Sequence, residues 1–255
     1  MKHALILYAC CLLFLSACDV ETESEVTANT GASTNASTEA GDLLTEERDV
    51  SDFNRVRLET LGDLSITQGD ETSVVLELSP KYEGVIETEV QGDTLVISSN
   101  RRNLTQVNRD VLRYTVTVSE LEAVQLGGSG DVNVGSFSAE DILFAVDGSG
   151  DIVAEDLQVE RLELAISGSS DVRFAGRTDT FVAGIDGSGE IDAQGLRAQE
   201  VSLGISGAGE AEVCALEVLD VNVSGSGEIV YYGEPSEPSI DISGAGEVEA
   251  GGDCP

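Results

Sequence analysis

The chain has little of what enzymes commonly work with. It contains no tryptophan and one histidine, His3, in 255 residues. Its 13 Lys and Arg face 48 Asp and Glu, for a formal net charge of −35. A field of that sign repels phosphate backbones and excludes nucleic acid as a partner. Aromatic residues are 4% of the chain and prolines number 4. Long apolar runs are missing except at the start, where residues 4–17 (ALILYACCLLFLSA) follow Met1-Lys2-His3. That run is short for a membrane span of about 20 residues and has the proportions of a signal-peptide core.

The run ends Leu15-Ser16-Ala17-Cys18. Small residues before a cysteine at this place resemble a bacterial lipobox, in which the cysteine is lipidated and becomes the mature N-terminus. Residues 1–17 are then a lipoprotein signal peptide and Cys18 is the lipidation site. His3, Cys10 and Cys11 leave with the peptide, and the loss of Lys2 takes the charge to −36. Without an imidazole, Ser-His-Asp triads, Cys-His dyads and His-ligated metal sites are excluded. Acyl chains on Cys18 would hold the protein on a bacterial membrane, each buried methylene contributing about 0.8 kcal/mol. The expected location is the cell envelope, facing the periplasm. Asp19 resembles an inner-membrane retention signal of enterobacteria, with the outer membrane as the alternative.

Residues 18–48 are rich in Thr, Ser, Glu and Ala and nearly free of large apolar side chains. Such a segment cannot offset its ordering entropy and is expected to be a disordered acidic tether. The folded domain is expected over 49–255.

What the chain does have is glycine, 28 in all. The pattern Gly-(Ser/Ala)-(Gly/Ser)-(Asp/Glu)-apolar starts at Gly128, Gly148, Gly168, Gly187, Gly207, Gly225 and Gly244, at intervals of 18 to 20 residues. Apolar side chains alternate before each motif, as in Ile142, Phe144, Val146 and Leu162, Leu164, Ile166. They alternate again after it, as in Val132, Val134 and Ile152, Ala154. Period two is the mark of a strand with one buried face. Each repeat therefore reads as strand, tight corner, short strand and variable polar connection. No repeat buries its apolar face alone, but stacking closes the core. The predicted fold is all-β, a right-handed parallel β-helix with turns of about 19 residues. The regular repeats occupy 128–255. Residues 49–127 read as irregular N-terminal turns of the same solenoid, with corners at Gly62-Asp63 and Gly92-Asp93 and a loop over 101–110.

The opening FNRVRLETLGDLSITQGDETSVVLEL (53–78), the segment QGDTLVI (91–97) and the GSGDV, GSGDI, GSGEI and GAGEV corners resemble the putative auto-transporter adhesin head GIN domain family. The resemblance covers roughly residues 50–250. It implies a β-helix-like cell-envelope protein, often a lipoprotein, and no catalytic residues. Ser170 departs from the pattern, standing where the other corners have a second glycine. If the corner needs a positive φ, that residue is strained.

The acids Asp131, Asp151, Asp171, Glu190, Glu210, Glu228 and Glu247 occupy equivalent places and would stack about 5 Å apart. At an effective dielectric of about 20, each adjacent pair repels by roughly 3 kcal/mol, and by under 1 kcal/mol in water. The column therefore faces water or meets a counter-ion. Two readings follow: a divalent-cation site, Ca²⁺ by its preference for carboxylate oxygens, or a solvated edge whose short acids cap turn N–H groups. The second is favoured, because only one acid recurs per turn. No metal site is assigned and no cofactor is expected, Ca²⁺ on the acidic column being the one candidate. Cys214 and Cys254 are a disulfide candidate in an oxidising compartment. Two turns apart they would lie about 10 Å from each other, beyond the ~7 Å a bridge allows, unless the tail folds back. Tyr231-Tyr232 is a sugar-stacking candidate or, more simply, half core and half surface.

The function read from the sequence is non-catalytic: a lipid-anchored envelope solenoid with an adhesin-like binding or structural role. Its partners are the membrane, through the anchor, and envelope or cell-surface polymers or proteins. The alternative is a polysaccharide-binding or polysaccharide-degrading β-helix. It lacks a Trp platform and a basic groove for an acidic sugar, with Lys81 the one lysine after processing.

Overall fold

The computed structural model describes residues 43–100, 111–236 and 238–255. The expected signal peptide, Cys18, most of the expected tether and the expected loop over 101–110 lie outside them. The N-terminal part holds β1 (Leu44–Arg48), β2 (Arg55–Leu58), β3 (Asp63–Gln68), β4 (Ser73–Leu78), β5 (Ile86–Gln91), β6 (Thr94–Ser99), β7 (Leu112–Val118), β8 (Ala123–Leu126) and β9 (Val132–Val134). The regular part holds β10 (Phe137–Val146), β11 (Ile152–Ile166), β12 (Asp171–Ile185), β13 (Glu190–Ile205) and β14 (Glu210–Val223). It ends in β15 (Glu228–Tyr232), β16 (Ser239–Ile242) and β17 (Glu247–Gly252). All belong to one hydrogen-bonded sheet wound on itself as a solenoid.

In the regular part each residue pairs with its equivalent one repeat away. Ile142, Leu162, Phe181, Val201 and Leu219 form one parallel column. Phe144, Leu164, Ala183, Leu203 and Val221 form the next, two residues on. These side chains are buried while those between them are partly exposed, as the period-two pattern requires. Each fully buried Leu, Ile or Phe contributes about 1.5–3 kcal/mol. A single aliphatic core results, with Phe144 and Phe181 both packed on Phe174, centroids 4.9 and 6.1 Å away.

The stretch expected to be a polar connection is a third paired side. Phe137–Ala139 pairs with Leu157–Val159, and Leu157–Val159 with Gly176–Thr178. Phe137, Leu157 and Leu196 enter the core from this side. Leu216 does not, because the β13–β14 register shifts after Ala198.

Residues 49–127 depart from the expected order of turns. β2 and β3, on either side of Gly62, lie between two later turns. On one side Val56 pairs with Val124 and Leu64 with Val132. On the other Val56 pairs with Leu95 and Leu64 with Tyr114. Gly92-Asp93 is no solenoid corner: β5 and β6 form an antiparallel hairpin closed by Gln91 and Thr94, with Gly92 at φ +68°. A two-residue hairpin loop needs that left-handed backbone. β4 runs antiparallel to β7, and β1 antiparallel to β4. The domain therefore starts at β1, and the stretch Leu44–Arg48, expected to end the tether, is a strand. The 3-10 turn Pro80–Tyr82 buries Tyr82 in the core at this end.

Among the described residues no further strand covers the other end. Among the described residues β16 pairs only with β14, and β17 only with β15. The inner column runs out there: Val221 is fully buried, and Ile240 on the next rung is 41% exposed.

Candidate functional site

The seven glycine corners stack into one edge. A Cβ at Gly148 would lie 2.0 Å from the carbonyl oxygen of Gly128. Gly168, Gly187, Gly207, Gly225 and Gly244 meet the carbonyl of the preceding turn at 1.9–2.1 Å, and Gly128 meets that of Thr60 at 2.2 Å. None of the seven has a positive φ. The corners need glycine for close approach of successive turns, and the left-handed geometry considered for Ser170 does not arise. Ser170 is fully buried and its hydroxyl donates to the Gly148 carbonyl at 3.4 Å.

Ser170 marks a change in corner type. Before it, an acid caps the next turn: the Asp131 carboxylate accepts the Asp151 N–H at 3.1 Å, and Asp151 that of Asp171 at 3.2 Å. After it, the N–H groups of Glu190, Glu210, Glu228 and Glu247 donate to the carbonyls of Ser170, Gly189, Gly209 and Gly227 at 3.0–3.2 Å. The backbone has moved accordingly. A Cβ at Gly150 would lie 1.9 Å from the carbonyl below, and one at Gly209 would lie 2.8 Å away. Aspartate's single methylene places its carboxylate at the turn. Glutamate's longer stem carries it outward, and those corners no longer need it. The position before the first glycine adds side-chain rungs, Ser167 donating to Asp147 and Ser206 to Asp186.

All seven acids of the column are exposed. Loss of hydration at the sheet edge, then the charges of Asp171, Glu210, Asp192 and Glu212, hold the Glu190 carboxyl above its ordinary range. A second row of acids runs beside it. Asp192 accepts from Arg173 at 2.8 Å, and Gln194 donates to Asp192 and Glu212 at 3.2 and 2.7 Å. Among the described residues no group of three or more His, Cys, Asp or Glu is arranged to hold a metal ion. Capping is what Asp131 and Asp151 do, and the glutamates are solvated.

Cys214 and Cys254 are joined by a disulfide, with Cα atoms 5.5 Å apart. The separation of about 10 Å for direct stacking does not apply, because the tail beyond β17 turns back toward the third side. Gly233 donates to the Gly252 carbonyl at 2.7 Å on the way. Tyr231 packs on the core. The Tyr232 ring is covered by Gly251, where a Cβ would lie 2.5 Å from the ring, so this face is not free for a sugar.

The sequence reading missed the arrangement of cations. Arg48, Arg55, Arg57, Arg113, Arg161 and Arg173 each lie within 4.0 Å of a carboxylate. Arg177 and Arg197, paired on adjacent rungs of the third side, have no such partner among the described residues. Two guanidinium charges one rung apart repel by roughly 3 kcal/mol at an effective dielectric of about 20, and by under 1 kcal/mol in water.

Residues 52–235 match the family described as putative auto-transporter adhesin, head GIN domain. A crystal structure of a putative adhesin from Bacteroides fragilis superposes with a TM-score of 0.78 at 25% identity. The match covers 83% of this chain and 98% of that one. A putative lipid binding protein from Parabacteroides distasonis gives 0.68 at 26% identity, over 83% and 97% of the two chains. A putative adhesin from Parabacteroides merdae gives 0.62 at 22% identity, over 83% and 97%. No curated protein matches the chain.

Proposed function

Because the chain belongs to the putative auto-transporter adhesin head GIN domain family, we propose that it is a lipid-anchored envelope protein with an adhesin-like binding role and no catalytic one. The observation that carries this reading is the match of residues 52–235, the bulk of the solenoid, to that family. The lipobox-like Leu15-Ser16-Ala17-Cys18 supplies the anchor, and residues 18–42 the tether. The solenoid, right-handed by the preference of parallel crossovers, then serves as a long polar surface held off the membrane. Its interior favours this over carriage of a lipid: the inner columns from Leu58 to Val223 are filled by the chain's own side chains. The acidic edge keeps the surface soluble and self-repelling.

Two measurements test it. Metabolic labelling with a palmitate analogue should tag the wild type and leave Cys18→Ala unlabelled in the soluble fraction. Beads coated with the folded domain should adhere to envelope polymers or cell surfaces more than uncoated beads do. Equal adherence of both would remove the adhesin-like role. Sucrose-gradient fractionation of the wild type beside Asp19→Ser separates inner- from outer-membrane residence.

A further inference from the structure

We propose that the third side of the solenoid carries a binding site for an acidic saccharide, with Arg177 and Arg197 holding its anionic group. The proposal deepens the reading of the solenoid as a binding surface, and rests on it.

The site is a depression of about 480 Å³ lined by Gln158, Glu160, Arg177, Asp179, Arg197 and Gln199, with Val159 and Leu216 beside them. Register builds it. Gln158, Arg177 and Arg197 form one outward column, because Gln158 pairs with Arg177 and Arg177 with Arg197. The next rung is Cys214, which is buried and tied to Cys254, so the outward column ends at Arg197. The β13–β14 register shift beyond Ala198 leaves Leu216 half-buried as a wall.

Three observations point to an anion. The two arginines are the described ones without a carboxylate partner, although Glu160 and Asp179 line the same depression. They stand on adjacent rungs, which suits one oxyanion held between two planar, charge-assisted donors. They lie in a concavity, whereas Arg173 and Arg161, already paired with Asp192 and Glu163, line no part of it. The surroundings select a saccharide over a lipid headgroup. Gln158 and Gln199 offer amides, Glu160 and Asp179 accept hydroxyl protons, and the apolar contribution is too small to hold an acyl chain. The net charge of −35 disfavours a long polyanion at distance, so the ligand is a single acidic unit or a chain end.

The experiment is an NMR-detected titration of the domain with trigalacturonate, its methyl ester and inorganic sulfate. The acidic trisaccharide should bind, with shifts confined to the third side, and the ester at least tenfold more weakly. Arg177→Gln and Arg197→Gln, both at exposed positions, should each weaken binding about tenfold with unchanged circular dichroism. Equal binding of acid and ester, sulfate binding as tight as the trisaccharide, or undiminished binding by both variants would overturn the proposal. Adherence of bead-bound domain, run in parallel, separates the two readings. Variants that adhere like the wild type while the titration fails remove the arginine site and leave the adhesin role standing.

Discussion

The carboxylate of Asp151 accepts the backbone N–H of Asp171 one turn further along the solenoid, at 3.2 Å. A side chain thus replaces a backbone acceptor at the corner, and Asp131 does the same for Asp151. Replacing either acid by alanine leaves an edge N–H to water. Asp131→Ala and Asp151→Ala should each cost about 1–2 kcal/mol. Glu228→Ala should stay within about 0.5 kcal/mol, because the N–H one turn further on, that of Glu247, already has the Gly227 carbonyl. Urea unfolding followed by circular dichroism compares them. Equal costs for Asp151→Ala and Glu228→Ala would sink the two-corner description.

Glycines divide by what lies where a side chain would go. Gly148→Ala places a methyl 2.0 Å from the Gly128 carbonyl oxygen, so two turns must part. A loss of about 3 kcal/mol or more is expected, as for overpacking against backbone. Gly184→Ala and Gly204→Ala meet nothing within 4 Å on an outward strand position. They should be neutral or stabilising by about 0.5 kcal/mol. Thermal melts of the three variants decide it.

The Cys214–Cys254 bridge pins the tail beside Gly233 across a sequence separation of 40. Closing a loop of that size stabilises by roughly 2–4 kcal/mol. Cys254→Ser should lower the unfolding midpoint and speed amide exchange in β17, with β11 and β12 unaffected. Uniform acceleration along the chain would contradict an end-localised role.

The raised pKa of Glu190 has a signed consequence for pH. The folded state binds this proton more tightly than the unfolded chain. Stability therefore falls as pH rises from the ordinary glutamate value through the raised one. Glu190→Gln should flatten that part of the profile and should stabilise the domain slightly at neutral pH. Added salt should help the wild type more than the variant. Urea midpoints between pH 4 and 7 test the slope. A steeper profile in Glu190→Gln would reverse the sign.

The corners were legible because a space-limited position repeats as glycine at a fixed interval, and alternation named the buried face. Alternation does not name the partner. Val56 reads the same whether it pairs in sequence order or, as here, with both Leu95 and Val124. Gly92-Asp93 and Gly62-Asp63 look alike as letters, yet one closes a hairpin and the other a solenoid corner. Arg177 and Arg197 were hidden by a register shift: β12 and β13 slip between Arg173 and Ala175, so the two fall at unequal distances from their glycines. The disulfide was open for a related reason, since tail reversal leaves no periodic trace.

The position of β2 and β3 between later strands sets an order of events in time. Arg57 donates to Gln125, 68 residues downstream, at 2.8 Å. A chain released N-terminus first must keep β2 and β3 without partners until β6 to β9, ending at Val134, have emerged. The repeats beyond that point find partners about 20 residues away and close cheaply. The first strands of this domain therefore wait longer for partners than any later repeat does, and a nascent chain stalled before Val134 would leave them sticky and waiting.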